Sequence, residues 1–226
     1  AITGGNQIQG TTNVTATSTH TLYAHWQANN YTVSFNANYV GSHTSESIQQ
    51  TYDQLYTIPS TNPSRTGYTF VGWFTAMTSG TQVDKNSKVL ITANQTLYAH
   101  WQVKQYTINY VLNNGQSPIL RTYDYNSIIS DAPQPTKVGY EFDGWLPALV
   151  SVVENATYEA QWSAISYDMT YNLTGGSMTD GSSNPVSYTI ENLSFTLIAP
   201  IRTGYTFTGW TGTEVSTPTL SLVISM

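Results

Sequence analysis

The chain has 226 residues, a net charge of −6 and only 9% charged residues, against the quarter or so of an ordinary globular domain. Seven scattered basic residues exclude the Lys/Arg-rich surface that nucleic acid or an anionic membrane requires. Aromatics at 13% exclude a disordered linker, and the lack of cysteine excludes disulfides and thiolate metal sites.

In chain order, the first recognisable word is TLYAHW at 21–26, which returns letter for letter at 96–101 and, blurred, as TYEAQW at 157–162. Such self-similarity predicts a repeat array. An opening strand is predicted at YTVSFNAN (31–38), where Tyr31, Val33 and Phe35 alternate with polar residues, and again at YTINYVLN (106–113) and YDMTYNLT (167–174). Three Tyr words follow, TYDQ (51–54), TYDY (122–125) and SYTI (187–190), aligned with one another so that Tyr52, Tyr123 and Tyr188 correspond. Next come RTGYTFVGW (65–73), KVGYEFDGW (137–145) and RTGYTFTGW (202–210). Each has Pro four residues before its first Gly, which predicts a turn leading into a strand. Gly72, Gly144 and Gly209 are predicted bulges, because strict alternation would otherwise split Phe70 from Trp73. Val71 then faces outward.

The closing word can be divided by faces. Leu97, Ala99 and Trp101 share one side and Tyr98 and His100 the other. TYEAQW keeps the first side apolar and makes the second polar, so Trp101 is expected in the core and His100 in solvent. The resulting divisions are 1–26, the end of a preceding repeat; 27–101, a repeat module; 102–162, a shorter module; and 163–226, a module lacking its closing strand. Seven aromatic positions recur in every unit where they are present (Tyr31, Phe35, Tyr52, Tyr68, Phe70, Trp73 and Trp101 in the first). Recurrence at fixed places favours packing over recognition, since modules this small are marginal and gain from large aromatic cores.

Catalytic chemistry is not expected. The histidines at 20, 25, 43 and 100 have no metal-ligand spacing, and Gln161 replaces His100 in the next unit. No nucleophile elbow, P-loop or zinc-protease motif occurs. DKNSK (84–88) and DGSSN (180–184) lack the terminal acid of a calcium loop and read as Asx turns. Arg65, Lys137 and Arg202 precede each Gly-Tyr, placed to cover a ring or to pair with Asp53 and Asp124. No cofactor or metal is expected. The six N-x-S/T sequons (Asn13, Asn30, Asn94, Asn155, Asn172, Asn192) are what an Asn- and Thr-rich chain supplies by chance. The apolar stretch LPALVSVV (146–153) is too short to span a bilayer, and Ala1–Gly10 shows no signal-peptide pattern.

The ordered set Y-T-V-x-F, Y-D, R-T-G-Y-T-F-x-G-W and T-L-Y-A-x-W resembles the Listeria-Bacteroides repeat, the B-repeat of internalin B. The resemblance covers nearly the whole chain. It implies a mainly β fold, a tandem array of small β-grasp-like modules forming an elongated rod. It also implies a non-enzymatic role on secreted or surface-anchored bacterial proteins, as an adhesive or spacer stalk working through protein–protein contacts. The second unit departs from it, with 17 residues from Trp145 to Trp162 against 28 from Trp73 to Trp101. Four-residue linkers (QANN, QVKQ, SAIS) and parallel first and last strands would give roughly 35–40 Å per module. The partner-surface candidates are Tyr23, Tyr98 and His100. The alternative is a carbohydrate-binding module using outward aromatics: Tyr23, Tyr39, Tyr56, Tyr98 and Tyr125. Residues 21–26 of one chain are also expected either to belong to a longer array or to complete the third module of another chain, giving head-to-tail association.

Overall fold

A computed structural model describes residues 7–13, 15, 17–41, 45–192, 195–212 and 215–219. His43 lies outside the described residues. The chain divides into two compact units, one drawing on residues up to Pro63 and on Phe70–His100, the other on Ser64–Thr69 and residues from Trp101 onward.

In the first unit the alternation of Tyr31, Val33 and Phe35 produces β1 (Asn30–Asn36), followed by β2 (Ser45–Thr51), β3 (Tyr68–Phe74), β4 (Gln82–Val83) and β5 (Gln95–Val103). The sheet order is β2-β1-β5-β3-β4. β1 pairs antiparallel with β2, and parallel with β5 from Val33↔Gln95 to Asn36↔Tyr98. The opening and closing words of the repeat therefore lie side by side at the sheet centre. Their inward residues Val33, Phe35, Leu97 and Ala99 are fully buried, with Trp73 edge-on to Phe35 at 5.0 Å.

The second unit repeats the plan with β6 (Gln105–Val111), β7 (Ile119–Asp124), β8 (Tyr140–Leu146) and β9 (Ala156–Ala164), in the order β7-β6-β9-β8 with β6 and β9 parallel. Its core is Ile108, Tyr110, Leu112, Ile129, Val152 and Tyr158. The third repeat, in the same unit, forms short pairs: β10 (Tyr167–Asp168) with β11 (Ser187–Tyr188), and β12 (Trp210–Gly212) with β13 (Val215–Thr219). The fold is mainly β, and a 3₁₀ turn at Ile190–Asn192 is the one helical element among the described residues.

The predicted bulge is present. The β8–β9 register shifts between Phe142 and Gly144, and the ring pairs Phe70–Trp73, Phe142–Trp145 and Phe207–Trp210 meet edge-on at 5.3–5.4 Å. Val71 and Asp143 face outward. Asparagines fasten the parallel pair at both ends. Asn94 Oδ1 accepts from Thr32 N–H at 2.9 Å and Asn155 Oδ1 from Thr107 N–H at 2.8 Å, while Asn38 donates to Ala99 O and Asn113 to Ala160 O. Asn38 and Asn113 sit at φ +58° and +50°, a region Asn enters more readily than most residues.

Two expectations are corrected. First, the Tyr words do not align as written: Tyr31 pairs with Gln50, Tyr106 with Tyr123 and Tyr167 with Tyr188. Gln50 thus takes the place of Tyr123, and Tyr52 corresponds to Tyr125 and Ile190. Gln50 is buried because its side chain bonds the Thr57 backbone twice, at 2.6 and 2.9 Å. Tyr52, expected among the core aromatics, is instead 39% exposed. Second, Trp101 is half-buried, not a core residue; Trp73 is the buried indole.

Candidate interaction surface

Of the three partner-surface candidates, Tyr23 is exposed and lies outside any strand. Tyr98 and His100 share one face of β5 and are half-buried. His100 was expected in solvent, but its ring stacks flat on Phe74 at 3.8 Å and bonds Ala76 O at 2.9 Å. The other outward aromatics are mostly committed too. Tyr56 is buried, with its hydroxyl donating to Gln95 Oε1, Tyr39 is half-buried, and Tyr125 packs between Tyr68 and Tyr106.

The recurring Gly-Tyr words form corners of constant geometry. Gly67, Gly139 and Gly204 have φ of +75°, +76° and +78°, a region glycine adopts freely. The preceding cation lies over the following ring: Arg65 over Tyr68 at 3.6 Å, Lys137 over Tyr140 and Arg202 over Tyr205 at 3.9 Å. Ring coverage, one of the two roles expected for these cations, is observed in all three repeats. Asp53 pairs with Lys88 and Asp124 accepts from Gln105.

Within the second unit two of these corners are filled, each in the same way. The amide of Lys104 donates to Gly67 O, and that of Ile165 to Gly139 O, both at 2.9 Å. A Cβ on Gly67 would fall 2.0 Å from the Tyr125 ring, and one on Gly139 would fall 2.9 Å from Ile190. Only the bare glycine lets the next hairpin turn approach this closely. Beside Ile190, Glu191 bonds the Tyr140 hydroxyl; burial first, and then this carboxylate, push the Tyr140 phenol above its ordinary pKa. The sequence reading missed these contacts, although the fixed linker length and the recurring Gly were signals of them.

In the third repeat a cleft of about 300 Å³ runs between Leu173–Thr174 and Tyr205–Trp210. Those segments correspond to the strand ends that β9 separates in the second repeat. Trp145 Nε1 donates to Pro133 O there, whereas the buried Trp210 Nε1 has no partner among the described residues. Meanwhile the first TLYAHW is in no strand, with Leu22 64% and Trp26 92% exposed.

The remaining polar chemistry is local. Asp84 accepts from the Asn86 amide and the Ser87 hydroxyl, so it closes its own turn, as in the Asx-turn reading of DKNSK. The DGSSN segment contributes buried Asn184, whose side chain bonds Ile198 N–H and C=O. Asp131, held below its usual pKa first by the Tyr123 hydroxyl and also by Arg121, anchors the turn beneath Tyr110. Among the described residues no cluster of three His, Asp or Glu could hold a metal, and no helix is long and apolar enough to cross a membrane.

Comparison with known proteins adds lineage to this geometry. Residues 31–100, 106–160 and 167–221 each match the Listeria-Bacteroides repeat domain. A protein of Evansella cellulosilytica named as a membrane protein is 32% identical over 87% of this chain. Internalin H of Listeria monocytogenes is 34% identical over 39% of it. The chain spans 31% of the first relative and 16% of the second. Among solved structures, Mub-RV aligns at 13% identity over 58% of this chain and 97% of that one, with a TM-score of 0.19, too low to bear on the fold.

Proposed function

The chain belongs to the Listeria-Bacteroides repeat domain family, and from that premise we propose that it is a non-enzymatic stalk segment of a bacterial surface or secreted protein. It spaces or presents adhesive domains through protein–protein contacts. Its repeats run over 27–101, 102–162 and 163–226, with 1–26 closing a preceding repeat; each family match lies inside one of these ranges. The β-grasp-like reading draws support from the central parallel pair, and the rod from the constant linkers. The surface placement draws support from relatives named as a membrane protein and an internalin.

One observation carries this reading: among the described residues, those common to the repeats are spent on cores and corners, and none converges on a reactive cluster. The carbohydrate-binding alternative is weakened because Tyr56 and Tyr125 are taken up by packing, leaving Tyr23 as the exposed member of its set. Of the partner-surface candidates, Tyr23 is likewise the accessible one, with Tyr98 and His100 offering only edges. Head-to-tail self-association, with residues 21–26 entering the third-repeat cleft of another copy, is the contact between copies proposed alongside the stalk. X-ray scattering tests the stalk. A rod of three modules predicts a radius of gyration of about 30 Å; a single globule of this length would give about 17 Å and refute it.

A further inference from the structure

In the first repeat the outer edge of β3 is covered. β4 pairs with it through Trp73↔Val83 and Phe74↔Gln82, Val83 is buried opposite Trp73, and the Gln82 side-chain amide donates to Val71 O across the bulge. A Cβ on Gly72 would strike that amide. The third repeat covers the same place with β13, where Thr219 pairs with Trp210 and a Cβ on Gly209 would strike the Thr219 backbone.

The second repeat has no such strand. Val89 and Val152 correspond, since each exchanges backbone bonds with the turn after its repeat's second strand. Residues 74–88 lie between Trp73 and Val89, but only 146–151 between Trp145 and Val152, so the segment that forms β4 is missing. β8 is therefore the last strand of its sheet. Gly144 is half-buried where Gly72 is buried, and nothing lies within 4 Å of its Cβ position. Trp73 is 5% exposed, whereas Trp145 is half-buried and Leu146 beside it is 59% exposed.

Charge changes at the same edge. Glu141 and Asp143 point outward from β8, Glu159 stands opposite Leu146 on β9, and all three are exposed. None has an ion pair among the described residues. The first repeat has Thr69, Val71 and Tyr98 in these places, and the third has Thr206 and Thr208 in the first two. The carboxylates are thus confined to the repeat whose edge is open.

We propose that the β8 edge is a docking site for an extended, basic segment of a partner protein, which adds antiparallel to β8 as β4 does to β3. Its apolar residues take the place of Val83 beside Trp145, and its Lys or Arg side chains meet Glu141 and Asp143. Main-chain bonds of this kind hold the strand, and the alternating side chains select it. A second β8 does not suit the edge, because it would set carboxylates against carboxylates, and charge on an edge strand blocks self-pairing. The site adds a partner to the stalk reading, and the two fail separately: scattering reads the shape, and peptide binding reads the edge.

Titrating the full chain with a blocked synthetic peptide of about eight residues alternating Val and Lys, followed through the backbone amide resonances, tests this. The amides of 141–146 should shift and those of β3 should not. The same peptide with Glu in place of Lys should leave both unmoved. Glu141→Lys combined with Asp143→Lys should weaken the Lys peptide at least about tenfold and admit the Glu peptide. Replacing 146–151 by 74–88, which supplies the second repeat with a β4, should abolish binding of the Lys peptide. Absence of a shift at 141–146 overturns the proposal, as does binding that survives the charge reversal or the replacement. So does a shift of these amides with the concentration of the chain alone, a result that makes a second copy the occupant.

Discussion

The six residues TLYAHW exist twice in this molecule in two conditions. At 96–101 they lie in β5, with Leu97 and Ala99 fully buried; at 21–26 they form no strand, and Leu22 and Trp26 face solvent. Intrinsic strand preference is identical in the two copies, so it does not decide between them. What differs is the neighbour. β1 supplies the parallel ladder to β5, Trp73 and Phe35 supply the core, and Asn94 and Asn38 fasten the ends. A strand here is a property of the pair and not of the word, because the β preference of single residues spans only about 1 kcal/mol and depends on context.

Substitutions made in both copies sharpen the contrast. The largest difference is expected at the inward leucine: Leu97→Ala should cost about 3 kcal/mol or more in urea melts, by cavity formation in a closed core, and Leu22→Ala within about 0.5 kcal/mol, as for surface changes. Trp101→Ala should follow at about 2 kcal/mol, below the full-burial range because the ring is half-exposed, against no measurable effect for Trp26→Ala. Asn94→Ala, which orphans the Thr32 amide, should cost about 1 kcal/mol; Thr19→Ala, at the matching place before the first copy, should be silent. The smallest expected difference is at the histidine. His100→Gln forfeits the stack on Phe74 and should cost about 0.5–1 kcal/mol, with His25→Gln neutral. Equal effects within any of these pairs would break the comparison.

Much of the plan was legible because it follows local rules. Alternation placed Val33, Phe35, Leu97 and Ala99 inside, and the Gly before each Trp marked the bulge that returns Phe142 and Trp145 to one face. The failures arose where tertiary partners decide. The replacement of His100 by Gln161 points to solvent, yet Phe74 stands beside His100 where the second repeat has Leu146, so the outward face of one copy is covered by a ring. By their letters the Tyr words align Tyr52 with Tyr123, whereas the ladder aligns Gln50 with Tyr123. The buried Gln50 amide bonding the Thr57 backbone and the half-buried Tyr123 phenol bonding Asp131 solve the same problem with unrelated residue types. As for the candidate surface, the recurring Gly-Tyr letters were visible, but that Tyr125 and Ile190 fill the space above Gly67 and Gly139 depends on contacts 50 or so residues apart in sequence.

Backbone amide exchange on the dilute, monomeric chain tests most directly whether the neighbour makes the strand. The account predicts strong protection through Leu97–His100 and exchange near the unstructured rate through Leu22–His25 in the identical word. Equal protection of the two copies would contradict it, for the word would then carry its structure by itself.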